Sequence, residues 1–358
     1  MGRVVVAVIV VVLGLGGVAI AQGAVPCEAF DSQPSCDVVL RPGPSDDAVG
    51  FISIADAVDP DPTGELRLTT VAVEDDLTWR SWFAARGSTS SEAVPREQIY
   101  PPGVDREQVA ETNAALMVDS QQVATIIALE ELGFELRGRG AVIAAVTEDA
   151  VTEELEPGDV IVAVDGEPME ESADVVAAVQ ANEPGATISF EVVNDDDTRD
   201  VEVTLGASPD DPERAFVGVL LTTDLDLPLD VSIDAGAIGG PSAGLLFALA
   251  IVDLLDEGEL TGGEVIAGTG TLNRAGEVGA VGGVRQKVAG ASSSAGDQEP
   301  ATVFLVPRGN FDEARAVEVT NDVLVVPVDT FDDALAALEA VRDGREPADA
   351  VLLAAAAR

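Results

Sequence analysis

The stretch 239-GGPSAG-244 decides how the second half of this chain is read. A Gly-Gly-Pro turn presents Ser242 at the start of 245-LLFALAIV-252, a helical stretch that is apolar on every side. A helix of that kind is buried, so the serine sits on a fixed turn at its N-terminus. Unpaired N–H groups and the positive end of the helix dipole gather there, and an oxyanion forming there is stabilised. Taken alone, the same turn is equally a helix start capped by serine.

A serine hydroxyl that attacks a carbonyl must lose its proton to a base. The chain of 358 residues contains no histidine, eighteen arginines and one lysine, Lys287, in 281-VGGVRQKVAG-290. Carboxylates are poor bases for this task near neutral pH, and a guanidinium stays protonated. An amine can serve once burial lowers its pKa. A catalytic serine here therefore has one available partner, although a sole lysine can also be an accident of composition. It is the pairing of that lysine with a serine on a glycine-rich elbow that points to nucleophilic chemistry.

Apolar residues make up 47% of the chain and aromatics 4%, with a formal charge of −46. So acidic a surface argues against nucleic-acid partners. No G-x-x-x-x-G-K-[ST] occurs, which excludes a P-loop for ATP. With two cysteines and no histidine, zinc fingers and Cys–His protease sites cannot be built, and no metal or cofactor is expected. Cys27 and Cys36 read as one small disulfide loop in an oxidising compartment, or as two free thiols in a cytosolic one. Residues 4-VVVAVIVVVLGLGGVAIA-21 are long and apolar enough to span a bilayer nearly in full. The short charged region before them favours an uncleaved anchor over a signal peptide, although 19-AIA-21 fits a cleavage site. Arg3 places the N-terminus in the cytoplasm and the rest of the chain outside the cytoplasmic membrane.

Along the chain, 41-RPGPSDDAVG-50 is a turn-rich connector and 64-GELRLTTVAV-73 alternates as a strand does. A long helix is expected over 105–132, with Val109, Leu116, Met117, Val123, Ala124 and Ile127 on one face. A small β-rich unit follows: strands at 140–146 and around 155-LEPGDVIVAVDGEPM-169, a helix at 171–182, and a hairpin through 187–205. After the Pro/Asp linker 208-SPDDPERA-215, strands at 216–223 and 230–236 lead into the serine elbow. Further strands and helices complete an α/β domain, and 346-EPADAVLLAAAAR-358 reads as a loose tail.

The phrase LEPGDVIVAVDG and its element order resemble a PDZ domain of the bacterial protease-associated type. That resemblance implies a peptide C-terminus held beside Arg139, Gly140, Ala141, Val142 and Ile143, although the aromatic of the common Gly-Leu-Gly-Phe form is missing. GGPSAG, with Lys287 in VGAVGGVRQK 45 residues later, resembles the proteolytic domain of the Lon family of serine proteases. The resemblance implies Ser242 as nucleophile, Lys287 as general base and Thr269 of AGTGT orienting the lysine, with Gly240, Pro241 and Ala243 forming the oxyanion turn. Gly239 departs from the family, many members of which carry an acid there. RPGP, RLTTVAV and MVDSQQVA are similar to a subgroup that joins a membrane anchor, a PDZ unit and a Lon-type domain. This implies that the PDZ unit is inserted into the protease domain, with strand 66–73 in the protease sheet.

The resulting expectation is an anchor at 1–22, an extracytoplasmic N-terminal region at 23–132, a PDZ domain at 133–208, a Lon-type α/β domain at 214–345 and a tail at 346–358. The implied function is a membrane-anchored, ATP-independent serine endopeptidase acting on unfolded or membrane-proximal polypeptides. The family also implies a homo-oligomeric ring. An inactive PDZ-based adaptor is the alternative from another class, and a serine-lysine signal peptidase fits less well because Ser242 lies far from the anchor. The acidity has two readings, a salt-rich habitat or a GC-rich genome with a solvated acidic surface. The habitat reading predicts a thermal midpoint that keeps rising between roughly 0.3 and 2 M KCl, beyond the range where Debye screening is nearly complete. A midpoint flat over that interval favours the other.

Overall fold

A computed structural model of the chain describes residues 36–55, 63–147, 149–152, 154–194, 197–208, 211–256, 259–293, 298–317 and 321–357. The apolar run 4–21 and Cys27, hence the expected anchor and disulfide loop, lie outside these residues. Among the described residues no helix is long and apolar enough to cross a membrane. The described residues form two compact units, one of those up to Leu132 together with those from Val231 onward, the other of those between Gly133 and Asp230.

The first unit opens with β1 (Asp37–Asp47), which pairs antiparallel with β2 (Glu65–Glu74) and slips register between Pro42 and Ser45. Its other edge takes β3 (Glu92–Pro95). Asp105 then starts α1 (Arg106–Glu131) with a capping box, its side chain bonded to the Gln108 N–H and the Gln108 side chain to its own. The buried stripe of α1 is Met117, Ser120, Ala124, Ile127 and Ala128, at helical spacing. Leu116, expected on that face, is 41% exposed.

The inserted unit contains β4 (Arg137–Val146), β5 (Val160–Val164), α2 (Ser172–Gln180), β6 (Thr187–Asn194), β7 (Asp197–Thr204) and β8 (Val219–Asp226). Its sheet runs β8-β4-β5-β6-β7 with every neighbour antiparallel. The Asp-Gly turn after β5 puts Asp165 and Gly166 both at positive φ, as a two-residue hairpin turn of the primed kind requires. Ile143, Leu155, Ile161, Val175, Phe190 and Val201 form a core of its own.

Two boundaries differ from the sequence reading. The ends of the expected linker 208–215 are joined to paired strand, Gly206 with Phe216 and Ala207 with Ala215. The strand assigned to the protease domain is β8, which pairs with β4 from Val219 to Asp226, so the unit extends to Asp230. The pattern of 216–223 marks a strand but carries no signal for which sheet owns it. The open edge of β4 decides that.

From Val231 the chain returns to the first unit with α3 (Gly244–Leu255), β9 (Val265–Gly268), α4 (Val284–Ala291), β10 (Val303–Pro307), β11 (Leu324–Val328), α5 (Phe331–Arg342) and α6 (Pro347–Ala357). β9, β10 and β11 are parallel, and β9 also runs parallel to β2. The mixed sheet is ordered β11-β10-β9-β2-β1-β3, and the overall class is α/β. Strand alternation sends Leu66, Leu68, Ile266, Leu305 and Val326 into a core with α3, α1 and α5. Ala267, Phe304 and Val306 pack instead with Val284, Val288 and Ala291 of α4. The sheet therefore separates the helix after Ser242 from the helix bearing Lys287.

The segment read as a loose tail is the helix α6, with Val351 only 1% exposed in the same core as α3 and α5. Its alanines form helix readily, and its two or three apolar anchors were too few to register as a face. Val351→Ala should lower the unfolding free energy by about 1–3 kcal/mol in urea titration. Leu353→Ala, at a position 71% exposed, should stay within about 0.5 kcal/mol of wild type.

Candidate active site

Ser242 lies in a single 3₁₀ turn, Pro241–Ala243, that runs directly into α3. Gly240 before it sits at φ 88°, where a side chain is strained. The turn is held residue by residue. The Gly240 N–H donates to the Asn113 carbonyl at 2.8 Å, and the Pro241 carbonyl accepts from Ser120 Oγ at 3.1 Å. The Ser242 carbonyl accepts from the Gly270 N–H at 2.9 Å and from Thr269 Oγ1 at 3.0 Å.

Lys287 approaches on α4, whose N-cap Gly283 is left-handed at φ 66°. A Cβ at Gly283 would come within 2.6 Å of Val71 Cγ2, so only glycine lets α4 start this close to β2. Asn310 fixes the strand of chain just before: its Oδ1 accepts from the Val281 N–H at 2.8 Å and its Nδ2 donates to the Val281 carbonyl at 3.1 Å. Nζ of Lys287 then lies 2.6 Å from Ser242 Oγ and 2.9 Å from Thr269 Oγ1. The structure thus brings Ser242, Lys287 and Thr269 together from three separate segments.

Lys287 and Thr269 are 4% and 1% exposed. Burial alone pushes the Lys287 ammonium down from 10.5 to about 8, because a charge taken from water without an anion beside it is disfavoured. At neutral pH roughly a tenth of the amines are then unprotonated. Thr269 spends its own proton on the Ser242 carbonyl, so its oxygen meets Nζ only as an acceptor. A neutral amine that gives one N–H to Thr269 keeps its lone pair for the Ser242 hydroxyl. The pair opens on a cleft of about 440 Å³ lined also by Thr69, Val71, Ile238, Gly239 and Gly282.

Of the expected oxyanion residues, Gly240 has its N–H engaged by Asn113 and Pro241 has none, so both shape the turn. Ala243 closes the 3₁₀ turn, where the i to i+3 pattern aims its N–H back at Gly240. The N–H of Ser242 itself, second in that turn, has no carbonyl of its own helix to reach. Sequence reasoning did not single out that N–H, Ser120, Asn113 or Asn310.

The residues expected to hold a peptide in the inserted unit do not lie at an open edge. Gly140, Ala141, Val142 and Ile143 lie within β4, whose two edges are taken by β5 and β8, so no further strand can add beside them. The sheet's two edge strands are β8 and β7. Between the start of β8 and α2 lies an apolar groove of about 180 Å³, lined by Val175, Val176, Val179, Phe216, Val217 and Leu221. The available signal was 216-FVGV-219, an apolar-Gly-apolar stretch with Gly218 at φ 90°. That stretch stands at the end of the unit, whereas the resemblance points to residues 139–143 at its beginning.

The family model for the PDZ domain matches residues 117–205, and that for the Lon protease (S16) C-terminal proteolytic domain matches residues 222–340. The chain is 30% identical over 197 residues to a probable periplasmic serine endoprotease, DegP-like, of Ectopseudomonas mendocina, covering 52% of this chain and 40% of that protein. It is 31% identical over 156 residues to the Lon protease of Campylobacter concisus, covering 42% of this chain and 18% of that protein. The chain thus spans less than half the length of these relatives. Among solved structures, the PDZ domain of the SdrC-like protein of Listeria monocytogenes is 20% identical, with 23% of this chain and 87% of that one covered and a TM-score of 0.22.

Because Lys287 is the sole lysine, its titration can be read directly. Acylation of this side chain by an amine-directed reagent, followed by mass spectrometry of the peptide that contains it, should reach half its maximal rate near pH 8. A midpoint at or above about 10 would mean that the amine is solvated like a free lysine.

Proposed function

We propose that this chain is a serine endopeptidase in which Ser242 attacks the peptide carbonyl and Lys287 is the general base. The observation that carries the reading is the 2.6 Å approach of a buried amine to the hydroxyl of a helix-start serine. The matches to a Lon proteolytic domain and to serine proteases support the same chemistry.

In the acylation step Oγ bonds to the scissile carbonyl carbon while its proton passes to the neutral Nζ. The carbonyl oxygen becomes an oxyanion facing the Ser242 N–H and the positive end of α3. As the intermediate collapses, the C–N bond breaks and the ammonium of Lys287 returns the proton to the departing amine, leaving an acyl ester on Ser242. Water then attacks the ester carbonyl, giving its proton to Nζ. Breakage of the ester bond passes that proton to Oγ and regenerates the resting pair.

The inserted unit, in this reading, selects substrates by their C-termini. An extended peptide adds as a strand to the free edge of β8, with its last side chain in the apolar groove and its carboxylate on backbone N–H groups of the 216–219 turn. The run 4–21 anchors the chain in the cytoplasmic membrane with the catalytic unit outside. Hydrolysis by this chain proceeds without ATP, so its substrates are unfolded, flexible or membrane-proximal polypeptides. The unit works in a homo-oligomeric ring.

Ser242→Ala and Lys287→Arg should each lower hydrolysis of fluorescent casein by about 10³-fold or more, with the thermal midpoint of Ser242→Ala staying near wild type. Turnover resembling wild type in either variant refutes the pair. The wild-type kcat/KM should rise with pH through a midpoint near 8, since the neutral amine is the active form. Val176, 43% exposed on the groove wall, supplies the test of the inserted unit. Val176→Glu should raise KM for a protein with an apolar C-terminus and leave kcat on a short internal peptide unchanged.

A further inference from the structure

We infer that Ser120 is a positioning residue for the nucleophile, acting through the carbonyl of Pro241, and that α1 is the strut against which the serine elbow is set. The inference rests on the reading of Ser242 and Lys287 as the reacting pair. Ser120 is 4% exposed on an inward stripe otherwise made of Met117, Ala124, Ile127 and Ala128. Alanine would satisfy that stripe and favour the helix more, so the hydroxyl calls for a reason. A serine or threonine inside a helix ordinarily returns its proton to the carbonyl four residues before. On this same helix Thr112 does so to Gln108 at 2.8 Å, and Thr125 to Gln121 at 2.9 Å. Ser120 instead reaches across to Pro241 at 3.1 Å.

That carbonyl is the one polar backbone handle on Pro241, which has no N–H. One helical stretch upstream, Asn113 takes the N–H of Gly240 at 2.8 Å, so α1 grips both residues before the nucleophile. The close approach is built into the elbow's own glycines. A Cβ at Gly244 would lie 2.7 Å from Ser120 Oγ, and one at Gly239 would lie 3.0 Å from Asn113 Cβ. The Gly that follows Ser-Ala, and the first Gly of the motif, are thus the residues that admit α1. With the following carbonyl held by Thr269 and Gly270, the Oγ–Nζ distance of 2.6 Å is set from both sides of Ser242. Neither Ser120 nor Asn113 belongs to the pair that moves protons.

The test compares Ser120→Ala with Thr125→Ala on short-peptide hydrolysis, with Ser242→Ala alongside. Both variants remove one buried hydroxyl from α1, but Thr125 is bonded only within its own helix. Ser120→Ala should lower kcat by about 10- to 100-fold, the usual cost of a small misplacement at a reacting centre. Its KM should stay within about threefold of wild type, and the pH midpoint should stay near 8, because the burial of Lys287 is untouched. Thr125→Ala should keep wild-type kcat. A Ser120→Ala kcat within about twofold of wild type, or an equal loss in Thr125→Ala, overturns the inference. If Ser242→Ala is inactive while Ser120→Ala works like wild type, the strut alone fails; if Ser242→Ala retains activity, the reacting pair itself is wrong.

Discussion

An amine removed from water, with no carboxylate paired to it among the described residues, is the constraint on which this structure turns. Its folded pKa of about 8 lies below the 10.5 of an exposed lysine. Below about pH 8 the protein carries a buried charge that the unfolded chain would solvate. Between 8 and 10.5 the unfolded state binds more protons than the native one, so stability rises with pH across that window. The full shift corresponds to roughly 3 kcal/mol, a sizeable part of a typical folding free energy. A protein that accepts such a penalty at its only lysine needs a compensating core. The all-round burial of α3 and the two apolar layers flanking the sheet supply one.

The geometry around that amine is set by close approaches of main chain to neighbouring side chains and carbonyls, and glycine makes them possible. Gly240 and Gly283 adopt left-handed φ values at the two turns that deliver the hydroxyl and the amine. Gly268 and Gly270, on either side of Thr269, have no room for a Cβ beside Leu246, Leu305 and Val278. Thr269 itself is fixed by its N–H to the Leu305 carbonyl at 3.1 Å. Each reacting group is therefore carried by backbone that cannot relax independently. This is what proton transfer over one hydrogen bond requires.

The residues proposed to react were legible because their chemistry is subtractive and local. With histidine absent and lysine unique, a serine on a Gly-Gly-Pro turn had one possible base, and the apolar run behind Ser242 announced a buried helix. The groove proposed for the peptide was less legible. Residues 140–143 and 219–226 both read as strands, and only pairing across the unit reveals which keeps a free edge. Val351 was missed because a helix anchored by so few residues has no periodic face. Ser120 was missed because one hydroxyl inside a helical pattern looks like any solvated serine until the partner, 121 residues away, is in place.

That separation in sequence has a consequence for when the site can exist. β2 pairs with β9 so that Leu66 faces Ile266, across a chain that builds the whole inserted unit in between. Arg67, 3% exposed on β2, is satisfied by Glu65 and by the carbonyl of Glu299, and Thr69 by the carbonyl of Gly268. The pairing of β2 with β9 and the bond from Thr69 need the chain made to residue 268, and the bond from Arg67 to Glu299 needs it made to residue 299. Long-range pairing carries the entropy of closing the loop before any contact repays it. The inserted unit, whose sheet and core use only its own residues, faces no such delay. β9, which leads into Thr269, therefore pairs with β2 only after the whole inserted unit has been made.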